Sequence, residues 1–373
     1  MRRIARRIVH PDTAMSGKRI EWIDFCRVYT VFCVIVRHCD RHYGSFAYVA
    51  DLFNYRSLIF FFFLMSGYFT HYASPGRLLD WPRARRLLWP YLFWTLLAAL
   101  TMVPLQHTGA IAQGDWSWVS PLIPLREMGL LSWCYWDYSN VPMWFLRTLI
   151  LLALISPLLQ RLPLKAMLGL ILICFAASDV LCESDMETAA HYKRNGVWWL
   201  PFRLYESVLA LGFYAAGLLV RRYADGARLS AWVRSYAWVP VLGSLALLPM
   251  VYGWGFYPPV QSSALVLLGV ATTLGIGSLY AQYLPRVCRA VASWGSAAFF
   301  VYATHFMLLH CLRLLLTGDY GGELTPLQAT IAPWVVLAVC LGLYRVLMRL
   351  CPRFMAIFAL APTQSHPGSG GGA

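Results

Sequence analysis

A chain of 373 residues that is 59% hydrophobic and only 13% charged lies outside the range of soluble globular proteins, which are roughly 45–50% apolar and about 25% charged. The same composition excludes disordered, collagen-like and disulfide-scaffold chains. The net charge of +14 then reads as topology signal and contact with anionic lipid. A nucleic-acid partner is not expected, because the chain has no RNP-like motif, zinc finger or continuous basic helix.

The fold class that remains is all-α, a polytopic membrane protein. An apolar stretch of about 20 residues crosses the hydrocarbon as a helix, and ten such spans are predicted: 22–39, 52–72, 87–105, 141–160, 163–182, 201–220, 236–253, 260–284, 290–315 and 330–350. With the N-terminus in the cytoplasm, the inner segments collect most of the 31 Lys and Arg. The positive-inside rule therefore puts both termini in the cytoplasm. Three units follow: a basic N-terminal segment 1–21, a transmembrane domain 22–353, and a flexible tail 354–373 rich in Gly and Ser. Asp24 and Arg27 interrupt the first apolar stretch, so a cleaved signal peptide is not expected. The ten Cys form no C-x-x-C pair. Only Cys39, Cys134 and Cys182 fall near the outer face, which leaves room for at most one disulfide. No internal repeat is visible, which disfavours an inverted-repeat transporter.

Ionisable residues within membrane spans are expensive and mark functional sites by default. In the first span Asp24-Phe25-Cys26-Arg27 is followed by ten residues and then His38. Eleven positions at about 100° each bring Arg27 and His38 onto one face, about 16 Å apart. A cation near the cytoplasmic end and a proton acceptor toward the outer end suit a cytoplasmic phosphorylated donor and an outward-facing acceptor. Arg27 would hold a phosphate or carboxylate, and a neutral His38 would act as general base. The other reading is that Arg27 pairs with Asp24 one turn back and His38 is a wetted helix end. Position alone does not separate the two.

The second span ends in a run of four Phe followed by Leu64-Met65-Ser66-Gly67-Tyr68, where Ser66-Gly67 favours close helix packing. Arg83, Arg85 and Arg86 form a basic cytoplasmic loop that either binds phosphates or anchors to lipid. The long outer loop 106–140 carries Trp116, Trp118, Trp136 and Asp137 among other aromatics and acids. It is either a sugar-stacking surface or an interfacial aromatic belt. Arg56 in the second span and Arg147 in the fourth both demand a partner or water, and Glu206 in the sixth is a possible partner for Arg147. The ninth carries Tyr302-Ala303-Thr304-His305, with His310 and Cys311 beyond. There is no H-E-x-x-H, Walker A or G-x-S-x-G, so metal hydrolysis, ATP coupling and a hydrolase elbow are disfavoured and no metal is expected.

At these residues the chain resembles the integral-membrane acyltransferase family three, which includes O-acetyltransferases of bacterial surface polysaccharides. The Arg27 and His38 spacing looks like that family's first-helix signature. Phe61-Phe62-Phe63-Leu64-Met65-Ser66-Gly67-Tyr68, the Arg83, Arg85, Arg86 stretch with Pro90-Tyr91, Trp144-Phe145-Leu146, and Tyr302-Ala303-Thr304-His305 resemble its later motifs in the expected order. Some branches carry a carboxylate near helix four, where this chain has Arg147. The resemblance implies a multi-pass protein of a bacterial inner membrane. It would move an acetyl group from cytoplasmic acetyl-CoA to a hydroxyl of a cell-envelope sugar or polysaccharide. It also implies catalytic roles for Arg27 and for His38, as general base or as brief carrier of the acyl group, CoA-phosphate binding by Arg83, Arg85 and Arg86, and supporting roles for Asp24, Ser66, Tyr68, Trp144 and His305. Arg147 and Glu206 join the supporting candidates as charges within spans. The rival class is a transporter or flippase for a lipid-linked glycan or small anion, with Arg27, Arg147, Glu206 and His305 lining a path.

Overall fold

Inside hydrocarbon a free backbone donor or acceptor finds no water, so a spanning chain closes its hydrogen bonds within each helix. The computed structural model describes residues 20–39, 58–71, 76–107, 141–195, 204–253, 263–318 and 323–360, and over these the chain is helical, with no strand. The helices are α1 (Glu21–Cys39), α2 (Leu58–Tyr68), α3 (Trp81–His107), α4 (Trp144–Arg161), α5 (Leu164–Asn195), α6 (Leu204–Tyr223) and α7 (Gly226–Tyr236). They continue as α8 (Trp238–Gly253), α9 (Ser263–Tyr283), α10 (Pro285–Ala292), α11 (Ala298–Thr317), α12 (Pro326–Leu350) and α13 (Pro352–Phe358). Short 3-10 turns at Val141–Met143 and Gly295–Ala297 lead into α4 and α11.

Among the described residues, five helical stretches are long and apolar enough to cross a membrane: Trp144–Arg161, Leu164–Leu181, Ser263–Tyr283, Pro285–Thr317 and Pro326–Leu350. Helix α1 is not one of them, because Glu21, Asp24, Arg27 and Arg37 interrupt its 19 residues. Leu58–Tyr68 and Trp238–Leu247 are apolar but shorter. Leu172, Ile173 and Val180 on α5 are exposed, as residues that face lipid are.

The charged helix α1 is the hub, packed by α2, α9, α10, α11 and α12. Cys26 Sγ donates to the Thr273 carbonyl at 3.2 Å, and a Cβ on Gly277 would lie 2.9 Å from the Trp22 carbonyl oxygen, so α9 runs antiparallel to α1. Asp24 sits against Gly295, where an added Cβ would meet its Cβ at 2.7 Å. Fourteen residues further along α1, His38 meets His305. Helix α11 therefore runs parallel to α1.

Helices α2 and α6 approach backbone to backbone. A Cβ on Gly67 would fall 2.1 Å from the Tyr214 carbonyl oxygen, and one on Gly217 would fall 2.0 Å from that of Leu64. Small residues at such a crossing let membrane helices gain dispersion contact. Gly217→Val is expected to destabilise the protein by about 1–3 kcal/mol through overpacking, read as a lower melting temperature in detergent. Gly169→Ala, where nothing lies within 4 Å, should not lower it.

Two boundaries differ from the sequence reading. The stretch Arg83–Arg86, expected as loop, belongs to the first turns of α3, which begins at Trp81. Asp80 accepts from the Arg83 backbone N–H at 3.4 Å, and Pro82, lacking an N–H, fits the first turn at no cost. The tail expected from 354 instead begins as helix: Met355 and Ala359 are fully buried, and the Trp94 indole donates to the Phe358 carbonyl at 2.7 Å. Phe93 packs on both Phe354 and Phe358, which fixes α13 to α3.

Candidate active site

Asp24 is 4% exposed and accepts from Arg27 Nη1 at 2.8 Å. The pairing alternative is therefore present, and it does not withdraw Arg27 from the cavity wall. Both residues line a cavity of about 730 Å³ whose wall also includes Phe62, Ser66, Arg86, Phe145, Ser296 and Tyr302. An intrahelical ion pair adds little stability where it is partly solvated, but here it fixes the direction of the guanidinium. The Arg27 guanidinium also lies over the Phe69 ring, 5.4 Å from its centroid.

The three arginines of the basic stretch separate. Arg86 lines the cavity. Arg83 Nη2 donates to the Ser66 carbonyl at 3.1 Å, at the C-terminal end of α2, where a cation suits the exposed carbonyls. Arg85 and Arg86 are both exposed, but Arg85 does not line the cavity. At 100° per residue, positions 83 and 86 share a face and 85 does not.

His38 occupies the C-terminal end of α1, outside the lining of the cavity. The expectation of one continuous face lined by Arg27 below and His38 above is thus met only at the Arg27 end. The His38 ring lies 5.4 Å from the His305 ring and 5.4 Å from the Phe306 ring, the latter edge-on. Its backbone carbonyl accepts from Arg313 Nη2 at 2.6 Å, so a buried guanidinium closes the C-terminus of α1. Tyr302 lines the cavity and its ring lies 5.9 Å from His305; its hydroxyl donates to the Pro142 carbonyl, which ties α11 to the turn before α4. The order in space is Arg27 and Arg86, then Tyr302, then His305, then His38.

The remaining candidates do not line the cavity. Trp144 is buried and packs on Phe63. Tyr68 is fully buried, with the Arg221 guanidinium 5.9 Å from its ring centroid. Arg147 is half-buried in the first turn of α4, and Glu206, in the first turn of α6, accepts from the Tyr205 hydroxyl at 3.1 Å. Arg56 and the aromatic loop from 108 to 140 lie outside the described residues. Sequence reasoning missed the roles of Arg313 and Gly295. Arg313 had a signal, since a cation within an otherwise apolar span demands a partner.

The sequence model of the acyltransferase domain of acyltransferase family 3 matches residues 20–345. The chain belongs to this family. No curated protein and no solved structure matches it significantly. The acyltransferase domain contains the Asp24–Arg27 pair, Arg86, Tyr302 and both imidazoles. Leu360, which also lines the cavity, comes from beyond it. The protein is a multi-pass membrane acyltransferase.

Proposed function

We propose that this acyltransferase moves an acetyl group from cytoplasmic acetyl-CoA to a hydroxyl of a cell-envelope sugar or polysaccharide. It does so across a ten-span bundle of the bacterial inner membrane, with both termini cytoplasmic. The observation that carries this reading is a cavity with two guanidiniums, Arg27 and Arg86, whose wall at Tyr302 stands one turn of α11 from an imidazole pair. The residues fit the donor: guanidiniums bind phosphate through charge-assisted hydrogen bonds, and Phe62, Phe145 and Leu149 offer an apolar wall to the pantetheine arm. The parallel course of α1 and α11 agrees with first and ninth spans of equal direction.

His38 takes the proton of the acceptor hydroxyl, whose oxygen adds to the thioester carbonyl. The C–S bond then breaks, and the CoA thiolate recovers the proton. Positioning both reactants supplies much of the rate, and the base contributes the rest.

Detergent-solubilised protein given radiolabelled acetyl-CoA and an envelope polysaccharide fraction should release free CoA only when the acceptor is present, with no gradient imposed. Protein that neither binds acetyl-CoA nor releases CoA, yet moves a glycan across vesicles, would overturn the proposal in favour of transport.

A further inference from the structure

His305 is fully buried, and its Nδ1 lies 2.7 Å from the Tyr302 carbonyl and 3.2 Å from that of Val301. Carbonyl oxygens only accept, so Nδ1 carries the hydrogen, and in a neutral ring Nε2 is left as a bare lone pair. That Nε2 is buried with no hydrogen-bond partner among the described residues. Leaving an acceptor in this condition costs about 1–3 kcal/mol. Such an atom calls for a partner that engages it in another state of the site.

Two polar rings stand beside it: that of Tyr302, whose hydroxyl is engaged by the Pro142 carbonyl, and that of His38, 5.4 Å away and tilted by 40°. A catalytic imidazole works as a base when its second nitrogen is held by an acceptor, usually a carboxylate. Among the described residues, His305, Arg37, His310 and Arg313 act on the charge of the His38 ring. Arg313 fixes the His38 backbone and Phe306 stands edge-on to its ring, so the ring's remaining freedom is rotation in place.

We propose that His305 is the positioning residue for His38. Its Nε2 accepts the N–H of the His38 ring and thereby turns the other His38 nitrogen, as lone pair, toward the acceptor hydroxyl. The assignment rests on His38 acting as the base. At rest the rings are apart, and the bond closes in the reacting complex, as catalytic hydrogen bonds commonly do. When His38 takes the hydroxyl proton, His305 keeps its hydrogen bond to the imidazolium and takes no proton itself. The proton leaves His38 for the CoA thiolate.

Two substitutions separate this role from a structural one. The amide of Asn reproduces the Nδ1 donor and that of Gln reaches the Nε2 position. His305→Asn is expected to lower kcat about 10²-fold, His305→Gln to stay within about tenfold of wild type, and both to keep the KM for acetyl-CoA. Equal losses, a loss confined to Gln, or no loss in either overturns the proposal. Acetyl-CoA binding by each variant checks the fold. If the Gln variant does not bind, Asn decides: wild-type kcat refutes the role, and a loss of kcat with binding intact upholds it. His38→Ala, measured in parallel, keeps the two readings distinct. If that variant is active, the base assignment fails; if it is inactive while the His305 variants match wild type, only the positioning role fails.

Discussion

His38→Ala should lower acetyl transfer by 10²–10⁴-fold, roughly what a positioned general base contributes, with the KM for acetyl-CoA nearly unchanged. The split follows from the geometry. The cavity that would hold the donor is lined by Arg27 and Arg86 and not by His38, so removing the imidazole takes nothing from donor binding. It also takes little from the fold, because Arg313 holds the backbone carbonyl of residue 38, which the substitution keeps. Initial rates with purified protein at saturating acetyl-CoA make the test. A variant as fast as wild type would end the assignment.

Arg86→Ala and Arg85→Ala should behave unlike each other although the residues are adjacent. Losing one charge-assisted hydrogen bond to a phosphate costs about 1.5–3 kcal/mol, which raises the KM or Kd for acetyl-CoA by roughly 10- to 150-fold at position 86. At position 85, outside the cavity, the expected change is within about twofold, the size of a screened surface charge. Isothermal titration with CoA measures both. Equal losses would mean that the donor meets a diffuse basic surface and not the cavity.

The contrast shows where sequence reading stopped. Taken as a loop, the three arginines were equivalent. Once α3 begins at Trp81, helical spacing alone groups 83 with 86 and sets 85 apart. The missing information was a helix start that precedes the apolar run, marked by Asp80 and Pro82. Hydropathy does not register such a start. The Asp24–Arg27 pair was visible as a spacing of three residues, but that it also faces a cavity depends on Gly295, which brings the turn before α11 against α1.

Composition and hydropathy determined that this is an all-helical membrane protein, and the order of short motifs determined its family. Both are local properties: the bilayer tests each segment for apolarity, and each motif lies within a few consecutive residues. Tertiary structure alone decided which arginine enters the cavity and which ring stands beside His38. It also decided that a guanidinium 275 positions away closes the end of α1. Such facts depend on how helices distant in sequence rotate and slide against one another. That is set by the packing of the whole bundle, where one missing Cβ at a crossing decides which side chains meet.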